Sequence, residues 1–147
     1  MSTEVGRVTL AASGTHSALA TIRRHGAAAF PDECCGALIA VEGVIVDAIE
    51  LPNSTSAGAA RRFRVSPADY RFAEAAASAA GGTLAGFYHS HPNHPARPSQ
   101  HDLEQAWPNF LYVILSVVNG EPSDITSWRL LDDRSQFEEG GLRWDIA

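Results

Sequence analysis

The placement of apolar stretches constrains the fold of this chain more than any other feature. Residues 110–118, "FLYVILSVV", form a continuous apolar run of the length and composition of a buried strand. The segment 34–51 reads as two strands joined by a turn at Glu42-Gly43, and 83–91 reads as a further strand. These strands do not alternate strictly with helices, so they predict a mixed sheet rather than a repeated βαβ unit.

Three helical segments lie between the predicted strands. The first covers 15–29, with Pro31 stopping it. The second opens at Ser66, a good N-cap followed by proline at the first helical position. A short third helix is expected from Ser99 to a point before Pro108. The fold class predicted is therefore α/β (mixed α+β), a sheet with helices packed on it.

Shorter segments complete the prediction of a single domain over residues 1–147. "GRVTLAAS" at 6–13 and "RRFRV" at 61–65 read as strands, and 52–60 reads as a flexible loop. "ITSWRLL" at 125–131 reads as another strand, and the tail from 132 holds a turn and one more short strand. No internal repeat or linker divides the chain, whose length suits one domain.

Composition narrows the class of protein. The formal charge of −6 argues against a main role in holding nucleic acid, for which a basic surface is usual. No apolar run approaches the roughly 20 residues that cross a bilayer, and no secretory signal is visible. Cys34 and Cys35 are adjacent, a spacing that disfavours a disulfide. We therefore expect a cytoplasmic protein with no membrane or nucleic-acid partner.

Histidines are concentrated in one short stretch, with four of the six between His89 and His101. His89 and His91 are two residues apart at the end of a predicted strand, so both imidazoles point to the same side. Pro92 ends the strand. Two imidazole nitrogens on one side can bind one metal ion, although an isolated H-x-H also occurs by chance.

Asp102 is a candidate third ligand, because Pro98-Ser99 opens a helix and Asp102 lies one turn in on the same face as Ser99. Two histidines and one carboxylate leave a position for water, which is typical of a catalytic zinc. The prediction is one Zn²⁺ per chain held by His89, His91 and Asp102, although such a site also suits iron or manganese.

The whole pattern, H-x-H-P followed after five residues by P-S-x-x-D, resembles the signature of the JAMM (or MPN) metalloprotease family. The resemblance covers roughly residues 8–131. The chain closely resembles small bacterial members of the family, in which a "P-x-E-x-C-G" segment leads into a strand. The resemblance implies a fold like that of cytidine deaminases, a curved mixed sheet flanked by helices. It also implies that zinc-bound water attacks an amide carbonyl.

Two further roles follow from the resemblance. Glu33 matches the family's general base, with neighbouring Asp32 as the rival should the assignment be wrong. Ser99 matches a residue that donates a hydrogen bond to the developing oxyanion, the alternative being that it only caps the third helix. His94 and His101 could be spare ligands or substrate contacts, and the two cysteines are expected to be buried packing residues.

The resemblance also implies a substrate: a ubiquitin-like or sulfur-carrier protein ending in Gly-Gly, from whose terminal glycine an adduct is released. An extended tail could pair with a sheet edge at "RRFRV" or near Cys35. Arg61, Arg62 and Arg64 are either a solvated edge or a contact for an acidic carrier. Two alternatives remain open, a metal-free MPN scaffold and a JAB protein linked to DNA repair.

Overall fold

A computed structural model describes residues 10–55, 58–60 and 62–145. Within that part of the chain, three helices flank eight strands that share one sheet. In chain order these are β1 (Ser13–Gly14), α1 (His16–Ala29), β2 (Cys35–Val41), β3 (Val44–Leu51), α2 (Pro67–Ala79), β4 (Thr83–Pro92), α3 (Gln100–Gln105), β5 (Leu111–Val118), β6 (Glu121–Leu130), β7 (Phe137–Glu139) and β8 (Arg143–Trp144). The predicted mixed sheet with flanking helices is confirmed.

The sheet has the strand order β7-β6-β5-β4-β2-β3-β1-β8. β4 lies near its centre, antiparallel to β2 and parallel to β5. Nine of the ten residues of β4 are buried, all but the first. A strand with neighbours on both sides and cover on both faces holds its side chains in fixed positions, which suits a strand that carries functional residues.

Alternation along β4 divides its side chains between two apolar cores. Tyr88 packs on the face covered by α1, together with Ile22 and Leu38. Phe87 packs on the opposite face, against residues of α2 such as Ala73. His89 and His91 share the face of Phe87 by the two-residue period of a strand. The histidines therefore emerge on the α2 side of the sheet.

Each helix begins where the sequence predicts. Side-chain oxygens of Thr15, Ser66 and Ser99 accept hydrogen bonds from the backbone N–H three residues further on, which satisfies donors left free by the first turn. Pro67 occupies the first turn of α2. None of the helices in the described part of the chain is long and apolar enough to span a bilayer.

Two strand predictions are wrong in detail. Of the strand expected at 6–13, residues 6–9 lie outside the described residues, and among 10–13 only Ser13 is in a strand, as the first residue of β1. Residues 62–65 of "RRFRV" form no strand, and Arg61 lies outside the described residues. Their backbone bonds instead to the preceding loop, with Arg64 O accepting from Ser54 N at 2.8 Å. The side chain of Asn53 satisfies two further backbone groups there, which removes the need for a strand partner.

Candidate active site

The end of β4 brings two imidazoles together. The Nε2 atoms of His89 and His91 lie 3.1 Å apart, which confirms that both rings point to the same face. Both side chains are buried. Two ring nitrogens this close cannot both carry protons directed at each other, so the pair is suited to share a positive ion.

Asp102 completes a triangle of donor atoms. Its Oδ2 lies 3.1 Å from His89 Nε2 and 3.2 Å from His91 Nε2. In a tetrahedral zinc site with bonds of about 2.0–2.1 Å, neighbouring ligand atoms are about 3.3 Å apart. The three atoms therefore fit one cation and leave its fourth face open. Asp102 is held there because α3 begins at Gln100, and the same Oδ2 accepts a hydrogen bond from Ser99 N at 2.9 Å.

The second nitrogen of each ring differs in its surroundings. His91 Nδ1 lies 2.9 Å from Pro95 O, and because a carbonyl only accepts, this nitrogen carries the proton and donates. That bond leaves His91 Nε2 free to bind a metal. His89 Nδ1 is buried and has no hydrogen-bond partner among the described residues. The His89 ring is instead held by Phe63, which stacks on it with centroids 4.4 Å apart and planes at 22°.

Charge in the triangle resides on Asp102. Burial alone would raise the pKa of this carboxyl, but the adjacent His89 and His91 rings and Ser99 N hold it well below its usual range. Burial lowers the pKa of His89. For His91, burial also lowers the pKa, but Asp102 and the Pro95 carbonyl outweigh it and raise the pKa overall. The site thus presents an ionised carboxylate beside a neutral imidazole, the forms in which both bind metal.

Glu33 lies next to this triangle. One of its carboxylate oxygens and a ring nitrogen of each histidine all lie within 4.8 Å of one another. The residue is 5 % exposed, and its Oε1 has no hydrogen-bond partner among the described residues. Burial raises the pKa of Glu33 to about 8, with His91 opposing the shift and Asp102 adding to it. A carboxyl group whose pKa lies close to neutral pH can both accept and release a proton there.

Glu33, His89 and His91 also form a possible ligand set, in which the glutamate would replace Asp102. The distances favour Asp102, because its oxygen is 3.1–3.2 Å from both ring nitrogens. With Asp102 as the third ligand, Glu33 remains a buried carboxylate beside the donor atoms, a position that suits a general base. Asp32 is exposed, whereas Glu33 is buried beside the triangle.

Strand register places Glu33 beside the histidines. Cys35 pairs with His89, and Glu33 precedes Cys35 by two residues. Ser90, on the opposite face of β4, fastens the same junction: its N donates to Cys34 O at 3.1 Å, and its Oγ accepts from Cys34 N at 2.8 Å. The Glu33 backbone is thus tied to the strand that carries both rings.

Ser99 caps α3 through an acceptor bond, since its Oγ accepts from Asp102 N at 3.1 Å. That bond uses a lone pair of the oxygen and leaves the hydroxyl proton available. Capping and donation to an oxyanion are therefore compatible roles for one hydroxyl. Ser99 is exposed, so this proton can meet a substrate.

Other residues singled out by the sequence lie outside the triangle. Arg62 and Arg64 are exposed. Cys34 and Cys35 are free and buried, and burial raises the pKa of both thiols, to about 11 and 12, which suits packing residues rather than nucleophiles. The strand near Cys35 is not a sheet edge, because β2 is hydrogen-bonded to β3 on one side and β4 on the other. That proposed place for an extended tail is therefore wrong.

Sequence reasoning did not identify Phe63, Asn53 or Ser90 as parts of the site. Phe63 stands in a run of arginines, Asn53 in a polar loop and Ser90 between the histidines. The only available signals were the lone aromatic ring in "RRFR" and the opposite-face position of Ser90. Neither signal indicates that Phe63 stacks on His89 or that Ser90 bonds to Cys34, because the partners are far apart in the sequence.

Comparison with known proteins agrees with this geometry. Residues 15–131 match the family model of prokaryotic homologues of the JAB domain. A desampylase from Haloferax volcanii is 34 % identical over 112 residues, covering 75 % of this chain and 81 % of the relative. The solution structure of a Salinibacter ruber protein is 42 % identical with a TM-score of 0.66, covering 86 % and 87 % of the two chains.

A more distant likeness supports the fold. The crystal structure of a JAB1/MPN domain protein from Archaeoglobus fulgidus matches with a TM-score of 0.60 at 21 % identity, covering 92 % of this chain and 98 % of that one. The family match spans most of the chain, including Glu33 and the donor triangle. The chain therefore belongs to the prokaryotic JAB branch of the JAMM/MPN family.

Proposed function

We propose that this protein is a zinc-dependent metallo(iso)peptidase that hydrolyses an amide bond at the C-terminal glycine of a ubiquitin-like or sulfur-carrier protein. The observation that carries the proposal is the triangle of His89, His91 and Asp102 donor atoms, 3.1–3.2 Å apart, beside the buried carboxylate of Glu33. One Zn²⁺ per chain suits three protein ligands with an open fourth position.

His89, His91 and Asp102 would hold the zinc ion, which would act as a Lewis acid that lowers the pKa of bound water toward about 7. Glu33 takes a proton from the attacking water and passes it to the leaving amine. Burial raises the pKa of Glu33, whereas a bound cation would lower it, so the two effects together would hold the carboxyl group in the range where it can accept and return a proton near neutral pH. The Ser99 hydroxyl, whose proton is not used in capping α3, donates a hydrogen bond to the oxyanion that develops on the substrate carbonyl.

The relative and the chemistry of glycine support the proposed substrate class. The Haloferax desampylase hydrolyses conjugates of ubiquitin-like proteins. A Gly-Gly tail has no side chains beside its terminal carbonyl, so its backbone can pass close to a buried cation.

The two free, buried cysteines are in keeping with a protein of the reducing cytoplasm.

The test uses the zinc-loaded protein with two substrates, a Gly-Gly-terminated carrier bearing an amide-linked adduct and a ubiquitin–lysine conjugate. We expect the mass of the free carrier to appear, and Glu33→Gln to lower kcat by at least a hundredfold. Zinc measured by elemental analysis should be one per chain in both proteins, since Glu33 is not a ligand. Undiminished cleavage by Glu33→Gln rejects Glu33 as the base. If elemental analysis finds no metal in the wild-type protein, the enzyme proposal is rejected and a metal-free MPN scaffold is favoured.

A further inference from the structure

A cavity of about 720 Å³ opens beside the metal triangle on the α2 side of the sheet. His89 and Asp102 line one part of it, so it is continuous with the candidate active site. A volume of this size lies within the range of small-molecule and cofactor sites and is several times that of one amino-acid side chain. The two metal ligands themselves do not need such a space.

The walls of the cavity are aromatic. Ring contacts between 5.3 and 6.4 Å join Tyr70 to Phe87 and Trp107, Phe87 to Phe110 and Tyr112, and Tyr112 to Phe137. The hydroxyl of Tyr112 does not make the wall polar, because it accepts from Trp107 N at 2.6 Å and donates to Trp107 O at 3.2 Å. A wall made largely of aromatic rings favours an occupant with a large apolar part.

One part of the cavity faces solvent. Trp107 is 42 % exposed, although Phe87 and Phe110 behind it are buried. The exposed residues Arg64, Arg71 and Glu74 also line the cavity, so charged side chains border its aromatic wall. An occupant with a large apolar part and a polar end therefore matches both the walls and the opening.

The acyl part of the substrate does not account for this cavity, since a tail ending in Gly-Gly has no side chain within two residues of the bond. The group on the other side of the bond, the leaving amine, is the part that can carry one. We infer that the aromatic cavity binds the leaving group, and that its preferred class is an amino acid or peptide whose first residue has a large apolar, preferably aromatic, side chain. This assignment rests on the proposed function and narrows its substrate.

A lysine side chain linked through its amine is a less suitable occupant. Its stem is a flexible chain of four methylene groups, which offers no ring to pair with the rings of the wall. The seven aromatic side chains of the wall can instead pair with a phenyl or indole ring in stacked and edge-to-face geometries. The lysine-linked adduct is therefore the comparison substrate.

The test is a series of carrier proteins that end in Gly-Gly-X, with X being Phe, Leu, Ala or Asp, cleaved by the zinc-loaded protein. We expect kcat/KM for Phe to exceed that for Ala by at least tenfold, and that for Asp to be the lowest. A carrier with Gly-Gly joined to the side-chain amine of lysine should fall below Phe. A carrier with Phe three residues before the bond and Ala after it should behave like the Ala substrate.

Trp107→Ala removes an exposed part of the wall, and Phe72→Ala is its matched control, being an aromatic residue of α2 that is 57 % exposed and does not line the cavity. Trp107→Ala should reduce the Phe-to-Ala ratio at least fivefold, and Phe72→Ala should leave it unchanged. Binding is followed separately by NMR, with N-acetylphenylalaninamide expected to shift the Trp107 indole N–H and N-acetylalaninamide expected not to.

The outcomes separate this inference from the proposed function. Hydrolysis of all four carriers at similar rates, with no shift at Trp107, overturns the leaving-group pocket and keeps the hydrolase. A preference that follows the residue before the bond, or one for the lysine-linked adduct, also overturns the pocket alone. A shift at Trp107 without hydrolysis of any carrier overturns the hydrolase, and with it the assignment of the cavity to a leaving group.

Discussion

The side chain of Asn53 connects Glu33, the proposed general base, to the ring of Phe63, which stacks on His89. Its Nδ2 donates to Glu33 O at 3.1 Å and to Arg62 O at 2.9 Å, and its Oδ1 accepts from Arg64 N at 3.1 Å. Phe63 lies between the two bonded arginines and packs on His89. One amide thus fixes both the Glu33 backbone and the Phe63 segment, so Asn53 is a positioning residue.

Asn53→Ala should therefore lower kcat by about tenfold, because losing the four hydrogen bonds of the Asn53 side chain loosens the base without removing it. Zinc content should stay at one per chain, since the three ligands are on β4 and α3. Ser54→Ala is the matched control, because Ser54 contributes its backbone N–H to the same loop. Loss of zinc from Asn53→Ala, or an unchanged kcat, would contradict the positioning role.

At the scale of elements, β4 depends on one close approach. Gly86 lies opposite Leu111 in the parallel pair with β5, and a methyl group added to Gly86 would overlap the Leu111 carbonyl. His89 and His91 follow on the same strand, so a shift of the ladder at Gly86 moves both ligands. The position thus couples strand pairing to the geometry of the metal site.

Gly86→Ala should lower the free energy of unfolding by about 3 kcal/mol, the cost of overpacking against backbone that cannot yield easily. Urea denaturation measures this, and zinc affinity measured in parallel should also fall. Gly141→Ala is the matched control, because no atom would lie within 4 Å of the added methyl. Equal free energies of unfolding for the two variants would contradict the prediction, since they would show that β4 and β5 can move apart at Gly86 without loss of stability.

The contact between α1 and β4 contains a titratable pair. His25 Nδ1 lies 2.7 Å from the Tyr88 hydroxyl, and Nε2 lies 3.9 Å from Glu50. Burial lowers the pKa of His25; Glu50 opposes this shift and Arg24 adds to it. The neutral ring is thus favoured in the folded protein. Its contribution to stability is complete above the unfolded pKa of about 6.5 and is lost as the pH falls through the lower folded pKa.

The free energy of unfolding should fall less steeply between pH 7 and pH 5 in His25→Gln than in the wild type. The two slopes should differ by no more than about 1.4 kcal/mol per pH unit, which is the contribution of one proton. Urea denaturation of the metal-free protein at several pH values measures the slope. His16→Gln, an exposed histidine on the same helix, should keep the wild-type slope. A steeper slope for His25→Gln would mean that the folded state prefers the charged ring.

Elements with local signals were predictable from the sequence, and contacts between distant residues were not. Ser66 and Pro67 placed α2 because capping depends on neighbouring residues, and the period of a strand placed both imidazoles on one face. "RRFRV" failed because the Asn53 side chain satisfies backbone groups that a strand partner would otherwise bond. The aromatic cavity draws on rings from Phe63 to Phe137, and no local pattern links them.

At the scale of the whole molecule, the donor triangle joins parts of the chain that meet only on folding. His89 and His91 end the central strand, whereas Asp102 reaches them from α3 across a loop. The unfolded chain holds these ligands far apart on average, so a cation binds the folded state more tightly than the unfolded one. Zinc should therefore stabilise the fold by mass action.

At a free zinc concentration a hundred times its dissociation constant, this linkage contributes about 2.7 kcal/mol. For a chain of this size we expect Tm to rise by about 5–10 °C on adding zinc to the metal-free protein, as measured by calorimetry. His91→Gln should abolish the rise, because it removes one of three ligands. His94→Gln should keep it, since His94 is exposed in the loop after β4. Comparing each variant with and without zinc cancels its own effect on the fold, so a rise that survives in His91→Gln would place the cation elsewhere.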